Sequence, residues 1–331
     1  MDYIRAEKKN IRVLSIDGGG IRGIVPAVLL TEIERRAGKP ISRLFDLMAG
    51  TSTGGILVLA LTKPESGANG AAHKAEEMVE FYERLGPKIF SRPLLHRLTS
   101  GDGLVRSRYS DGPIESVLAD FFGDVRLKQA IAPVFIPSYE LGRRTPFFFR
   151  SVMARRDPGY DYPMHTVARS TSAAPTYFPP EAIPVTGTNE KYVLIDGGVF
   201  ANNPAACALV EAKVQFPNAS DFTVVSLGTG AAEEKPLMTR AGDWGIARWA
   251  RPILDTVLDG VSSTVDYQLA QLLPPYQDGT ERYFRIQPTI GAGNQAMDNA
   301  ERSNLQELKA IATKTIQEKS RQIDDLCARV A

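Results

Sequence analysis

Ser52 stands at the centre of Gly50-Thr51-Ser52-Thr53-Gly54, with one apolar run before it (residues 44–49) and another after it (56–61). The pattern predicts a strand, a sharp turn and a helix. A serine on such a turn is lifted clear of the backbone, and the flanking glycines let neighbouring chain come close. The helix N-terminus beside it supplies free amides and a dipole that favour developing negative charge. These are the needs of a serine nucleophile. A glycine-rich turn whose serine only caps the helix has the same five residues, so the partners must decide.

A nucleophilic hydroxyl needs a base. The chain has three histidines, His73, His96 and His165. None ends a strand pattern or sits in a glycine turn, so no Ser-His-Asp triad is expected. Asp196 is better placed. It closes the buried run Tyr192-Val193-Leu194-Ile195 and opens Asp196-Gly197-Gly198. That run is expected to be a parallel-type strand, whose C-terminal end is where open α/β sheets carry their chemistry. Aspartate is a weak base at its ordinary pKa of about 3.9. Burial beside Val193, Ile195 and Phe200 would raise it. The competing reading is an aspartate that caps the next helix.

Developing negative charge also needs donors. The run 11–16 predicts a strand that enters Asp17-Gly18-Gly19-Gly20-Ile21-Arg22-Gly23, and a helical pattern follows with Val25, Val28, Leu29 and Ile33 on one face. The amides of Gly18, Gly19 and Gly20 can converge on an anion at that helix N-terminus. Arg22 supports the loop, neutralises charge near it, or is a surface arginine on the first turn. Gly18, Gly20 and Gly23 also spell the G-x-G-x-x-G of a dinucleotide-binding oxidoreductase. That fingerprint expects an acidic residue at the tip of the second strand. The second strand here ends in the Ser52 turn, and Asp46 lies at its start. Neither glycine loop has the Gly-Lys-Ser/Thr ending of a P-loop.

These residues need a frame. Strand patterns recur at 133–139, 146–151, 192–195, 222–227 and 283–286. Helical patterns occupy 74–85 (stopped by Gly86-Pro87), 114–122, 166–174, 204–214, 244–273 and 304–328. The succession predicts an α/β fold with a mainly parallel central sheet flanked by helices, in one domain. Residues 63–72 read as a loop. The segment 84–108 holds six Lys/Arg against one acid, Asp102, with apolar residues between them. It reads either as a solvated irregular stretch or as a basic, apolar flap beside the site.

The chain has 331 residues, a net charge of +1 and 43% hydrophobic residues. That composition is globular and carries no polyanion-binding signature, so no nucleic-acid polymer is expected as a partner. Cys207 and Cys327 lie far apart with no metal-type spacing. The polar N-terminus lacks an apolar signal-peptide core, and no run reaches membrane-spanning length. A cytoplasmic location is expected.

Taken in order, the motifs resemble the patatin-like phospholipases. The likeness rests on Asp17-Gly-Gly-Gly-Ile-Arg-Gly23, Gly50-Thr-Ser-Thr-Gly54, Ser170-Thr-Ser-Ala-Ala-Pro-Thr-Tyr-Phe178, Asp196-Gly-Gly198 and Tyr283-Phe-Arg-Ile-Gln287. It runs through 11–288, with 289–331 a helical segment expected to pack on the same domain. The resemblance implies a three-layer fold and a Ser52–Asp196 dyad framed by Gly50, Gly54, Gly197 and Gly198. It implies an oxyanion hole from Gly18, Gly19 and Gly20 with Arg22. The chemistry implied is acyl-ester hydrolysis of membrane phospholipids without a metal or other cofactor. The chain looks most like intracellular bacterial members, which include antiviral effectors switched on by a cyclic nucleotide. Arg143 and Arg144 would suit such an anionic activator. The expected partners are therefore a phospholipid membrane surface, a cyclic nucleotide and further copies of the chain. A relative that has kept the fold and lost activity is the remaining alternative.

Overall fold

The computed structural model describes residues 10–65, 67, 70–91, 107–232 and 252–331. The strands are β1 (Asn10–Ile16), β2 (Leu47–Gly50), β3 (Val134–Glu140), β4 (Thr145–Arg150), β5 (Glu181–Pro184), β6 (Lys191–Asp196), β7 (Asp221–Leu227), β8 (Ala231–Ala232), β9 (Tyr283–Ile286) and β10 (Thr289–Ile290). The α-helices are α1 (Ile24–Ala37), α2 (Ile41–Leu44), α3 (Thr53–Thr62), α4 (Ala75–Ile89), α5 (Asp111–Phe122), α6 (Ser151–Arg156), α7 (Met164–Thr171), α8 (Gly198–Ala201), α9 (Ala205–Gln215), α10 (Pro252–Leu272), α11 (Arg302–Glu318) and α12 (Ser320–Val330).

An eight-stranded sheet runs β5-β6-β3-β2-β1-β7-β9, with β4 also paired to β3. The pairings of β3, β2, β1, β7 and β9 are parallel. Those of β4, β6 and β5 are antiparallel. The sheet is mixed, with its parallel part on the side that carries the glycine loop. β6 is therefore not the parallel strand expected. It still delivers Asp196 to the active end, because β3 runs on past the end of β2. Ala49 lies opposite Phe135, whereas Asp196 lies opposite Ser138. β6 descends along this overhang and stops close to the level at which β2 ends.

Alternation along the strands builds two cores. Leu14, Ile16, Met48, Ile136, Val225 and Leu227 face a layer containing α1, α3, α4, α5, α7, α11 and α12. Ile11, Val13, Leu47, Ala49, Phe135 and Val224 face the smaller layer of α9 and α10. All ten residues of α3 are buried. It is apolar all round, as a helix in a protein interior must be. Burying each of Ile56, Leu57, Val58, Leu59 and Leu61 contributes roughly 1.5–3 kcal/mol, so the turn at its head rests on a rigid support.

Two helices depart from the sequence pattern. α4 continues through Gly86 and Pro87 to Ile89. Pro87 lies in the last turn, where it removes little of the hydrogen-bond ladder, and Gly86 fits tightly against Ile21. The C-terminal pattern is divided at Lys319 into α11 and α12. α11 packs on α1, and α12 reaches both α1 and β7. The bend keeps Ile323, Leu326 and Val330 buried along that curved path. Residues 92–106 of the basic segment, His96 and the start of the 244–273 pattern lie outside the described residues. Among the described residues, no helix is long and apolar enough to cross a membrane.

Candidate active site

Ser52 links β2 to α3 with φ 54° and ψ −122°. Few residues other than glycine occupy positive φ, and such strain persists only where the surroundings impose it. Here the surroundings are tight. A Cβ on Gly50 would lie 2.1 Å from the Gly54 carbonyl oxygen, and one on Gly54 would lie 2.3 Å from that of Ile16. The Ser52 side chain makes no capping bond to α3. It lies instead close enough to the Asp196 carboxylate to favour that group's charged form. The Ser52 amide donates to Thr171 Oγ1 at 3.0 Å, and that hydroxyl donates onward to the Pro137 carbonyl. The turn is thus tied to both α7 and β3.

Asp196 is 5% exposed. Its amide donates to the Ala173 carbonyl at 3.0 Å. Its Oδ1 accepts from the Gly198 amide at 2.7 Å. Gly197, not Asp196, is the N-cap of α8, so this carboxylate holds the local turn and lies beside Ser52 without capping the helix. Burial pushes its pKa up, against the influence of Ser52 and the Gly198 amide, to about 6. Gly197 passes the Pro137 carbonyl so closely that a Cβ would lie 2.5 Å from its oxygen.

The glycine loop is clamped from below. Asp17 is buried and receives both terminal nitrogens of Arg285, at 3.0 and 2.7 Å. Thr229 Oγ1 donates to the Gly18 carbonyl at 2.7 Å. The Gly18 amide donates to the Asn202 carbonyl, and the Ile21 amide to that of Met297. This corrects the expected donor set: the Gly18 amide is already engaged and cannot face an anion. Among the described residues, the amides of Gly19 and Gly20 carry no such bond. Arg22 is half-buried, and its Nε donates to the Gly19 carbonyl at 3.3 Å. Burial lowers its pKa, opposed by Asp259 and Asp255 of α10. It braces the loop from behind.

Ser52, Asp196, Gly19 and Gly20 line one largely apolar cavity together with Ile56, Phe81, Ile89, Phe90, Ile114 and Phe178. Leu254 and Leu258 of α10 and Met297 close another side. The sequence profile for patatin-like phospholipase matches residues 14–209. The chain belongs to the patatin-like phospholipase family. It is 32% identical to patatin-like protein 1 of Arabidopsis thaliana, over 92% of this chain and 81% of that protein. It is 34% identical to patatin-like protein 2 of the same plant, over 89% and 80%. It is also 30% identical, over 89% and 83%, to a Solanum tuberosum protein named probable inactive patatin-3-Kuras 1. Among solved structures, VipD from Legionella pneumophila superposes with a TM-score of 0.45 at 12% identity, over 97% of this chain and 67% of VipD. Membership in the family implies a lipid acyl hydrolase. One relative carries the word inactive in its name, so the state of the site itself must decide the case for each chain.

Other candidate residues of this patatin-like chain lie elsewhere. His73 stacks on Phe121 and bonds Glu77, and His165 bonds Thr166. Neither lines the cavity. Arg143 and Arg144 occupy the exposed tip of the β3–β4 hairpin, outside the cavity wall. The Arg143 guanidinium lies over the Tyr192 ring and 3.7 Å from a Glu190 oxygen. In turn, Thr171, Asn202, Thr229 and Arg285 hold the site without having been assigned to it from sequence. Thr229 was visible within Gly228-Thr229-Gly230 at a strand end, and Arg285 as a charge within a buried strand pattern.

Proposed function

We propose that this chain hydrolyses fatty-acyl esters of membrane phospholipids, with Ser52 as nucleophile and Asp196 as its base. One observation carries the reading: a serine on a strained turn, set beside a buried aspartate in the wall of a largely apolar cavity. Ser52 Oγ attacks the acyl carbon as its proton passes to the Asp196 carboxylate. The carbonyl oxygen gains charge and turns to the Gly19 and Gly20 amides. The carbon–oxygen bond to the alcohol breaks, and the Asp196 carboxyl returns the proton to the departing oxygen. Water then attacks the acyl-serine, again giving a proton to Asp196, and the fatty acid leaves as Ser52 recovers its proton. The aspartate must begin ionised, so a pKa near 6 suits it to work near neutral pH.

The substrate's chains would leave a membrane surface to enter the cavity, which places the enzyme on that surface while it works. Cyclic-nucleotide control through Arg143 and Arg144 is a separable part of this proposal. An anion there would act along β3, whose Ser138 lies opposite Asp196. The test is mass spectrometry of purified protein with mixed phospholipid vesicles, with and without cyclic nucleotides. Free fatty acid and lysophospholipid in matched amounts are expected. Intact lipid under every condition would overturn the hydrolase reading. Lipid cleavage at one rate regardless of nucleotide would overturn only the regulatory part.

Gly19→Ala probes the donor loop. The new methyl would lie 2.3 Å from Thr229 Oγ1, the hydroxyl that holds the Gly18 carbonyl. Displacing that clamp turns the Gly19 amide away from the oxyanion. Turnover is expected to fall by about 10²–10³-fold, the usual worth of one such donor, with KM little changed. An unchanged kcat would give the loop another role.

A further inference from the structure

Ser172 follows the last turn of α7 and lines the same cavity as Ser52 and Asp196. It is 6% exposed, and among the described residues its hydroxyl has no hydrogen-bond partner. A buried hydroxyl in that state is uncommon and calls for an explanation. No other residue of the cavity wall carries a buried side-chain nitrogen or oxygen left unpaired, again among the described residues.

Topology fixes which part of a substrate this hydroxyl meets. Ser52 follows β2, and the sheet order around it is β6-β3-β2-β1-β7. The Gly19–Gly20 amides follow β1, on one side. α7 packs on β3 and β6, on the other. The Asp196 amide bonds to Ala173, the residue after Ser172, so Ser172 and Asp196 share that second side. An ester attacked by Ser52 with its carbonyl oxygen toward Gly19 and Gly20 turns its alkoxy oxygen away from them. That oxygen then faces the side of Asp196 and Ser172. Resting on the hydrolase reading above, we infer that Ser172 Oγ–H donates a hydrogen bond to the alcohol oxygen of the scissile ester as it departs.

The roles remain distinct. Asp196 supplies the proton that the leaving oxygen takes up, and Ser172 keeps its own. The hydrogen bond strengthens as charge builds on that oxygen, so it acts in the transition state more than in the bound ester. Its value therefore depends on how poor the leaving group is. A glycerol-type alkoxide, the kind a phospholipid releases, needs it most. A nitrophenolate, which carries its charge without help, needs it least.

The experiment compares wild type and Ser172→Ala on two soluble esters of the same short fatty acid, one with 4-nitrophenol and one with glycerol. kcat/KM is the readout, since it reports the steps through alcohol release. The ratio of glycerol ester to nitrophenyl ester is expected to fall by about tenfold, the scale of one buried hydrogen bond. Ser172→Thr, which keeps a hydroxyl, is expected to recover most of that ratio. Ser172→Cys gives the same contrast if the alanine variant does not fold, since the thiol is close in size but a weak donor. A ratio unchanged within twofold, with both esters slowed alike or neither slowed, would make Ser172 structural and overturn the inference. Wild type inactive on both esters would instead overturn the hydrolase reading on which it rests.

Discussion

Ser52→Ala is expected to reduce ester hydrolysis by on the order of 10⁴- to 10⁶-fold, the range seen when a nucleophile that works with a paired base is removed. The substitution deletes one oxygen and leaves the backbone as it is. The strained turn is imposed by Gly50, Gly54 and the Thr171 bond to the Ser52 amide, none of which needs the hydroxyl. The side chain caps no helix, so no helix end is released. Thermal unfolding at neutral pH should therefore stay close to wild type while activity disappears. A serine-directed fluorophosphonate should label wild type at Ser52 and leave the variant unlabelled. Label on another serine, or activity that survives in a folded variant, would remove Ser52 from the mechanism.

Much of this site was legible because its glycines are demanded by backbone contact. Gly50, Gly54 and Gly197 each pass a carbonyl oxygen too closely for any side chain, and such constraints leave a short, spaced signature. The periodic runs gave the parallel strands β1, β2 and β7 for a similar reason: buried strands are continuous apolar stretches. Strand direction left no such mark. A local run such as Tyr192-Val193-Leu194-Ile195 reads the same whichever way it lies in the sheet, so the antiparallel course of β6 emerged only with its register against β3. Long-range pairing also decided which glycine amides face the cavity. Gly18 looks equivalent to its neighbours until the Asn202 carbonyl, far along the chain, takes its amide. Thr171 falls within a motif of the family, but its place in this site is to bridge the Ser52 amide to the Pro137 carbonyl. The helix break expected at Gly86-Pro87 failed for a different reason. Gly86 is there to fit Ile21, and helix packing outweighed local propensity.

Asp196→Asn should separate activity from stability. The amide cannot take the serine proton, so hydrolysis is expected to fall nearly as far as in Ser52→Ala. In wild type, kcat/KM should drop as pH falls through about 6, where the carboxylate is protonated. Stability should run the other way. The folded pKa is raised from 3.8 to about 6, so the folded protein holds this proton more tightly than the unfolded chain. The resulting stabilisation is fully present below the unfolded value of 3.8 and is lost as pH rises through about 6. At pH 8 wild type buries a charge that the variant lacks, and a shift of this size corresponds to roughly 2–3 kcal/mol. The asparagine can still accept from the Gly198 amide, as Asp196 Oδ1 does. Denaturant unfolding should thus find the variant more stable than wild type at pH 8, with the gap closing toward pH 4. Such a gap is the signature of a buried aspartate held ready as a base, since a purely structural, ion-paired carboxylate would be lost with a penalty at pH 8. A variant less stable than wild type at pH 8, or a gap that ignores pH, would show that Asp196 is no such base, and Ser52 would then need another partner.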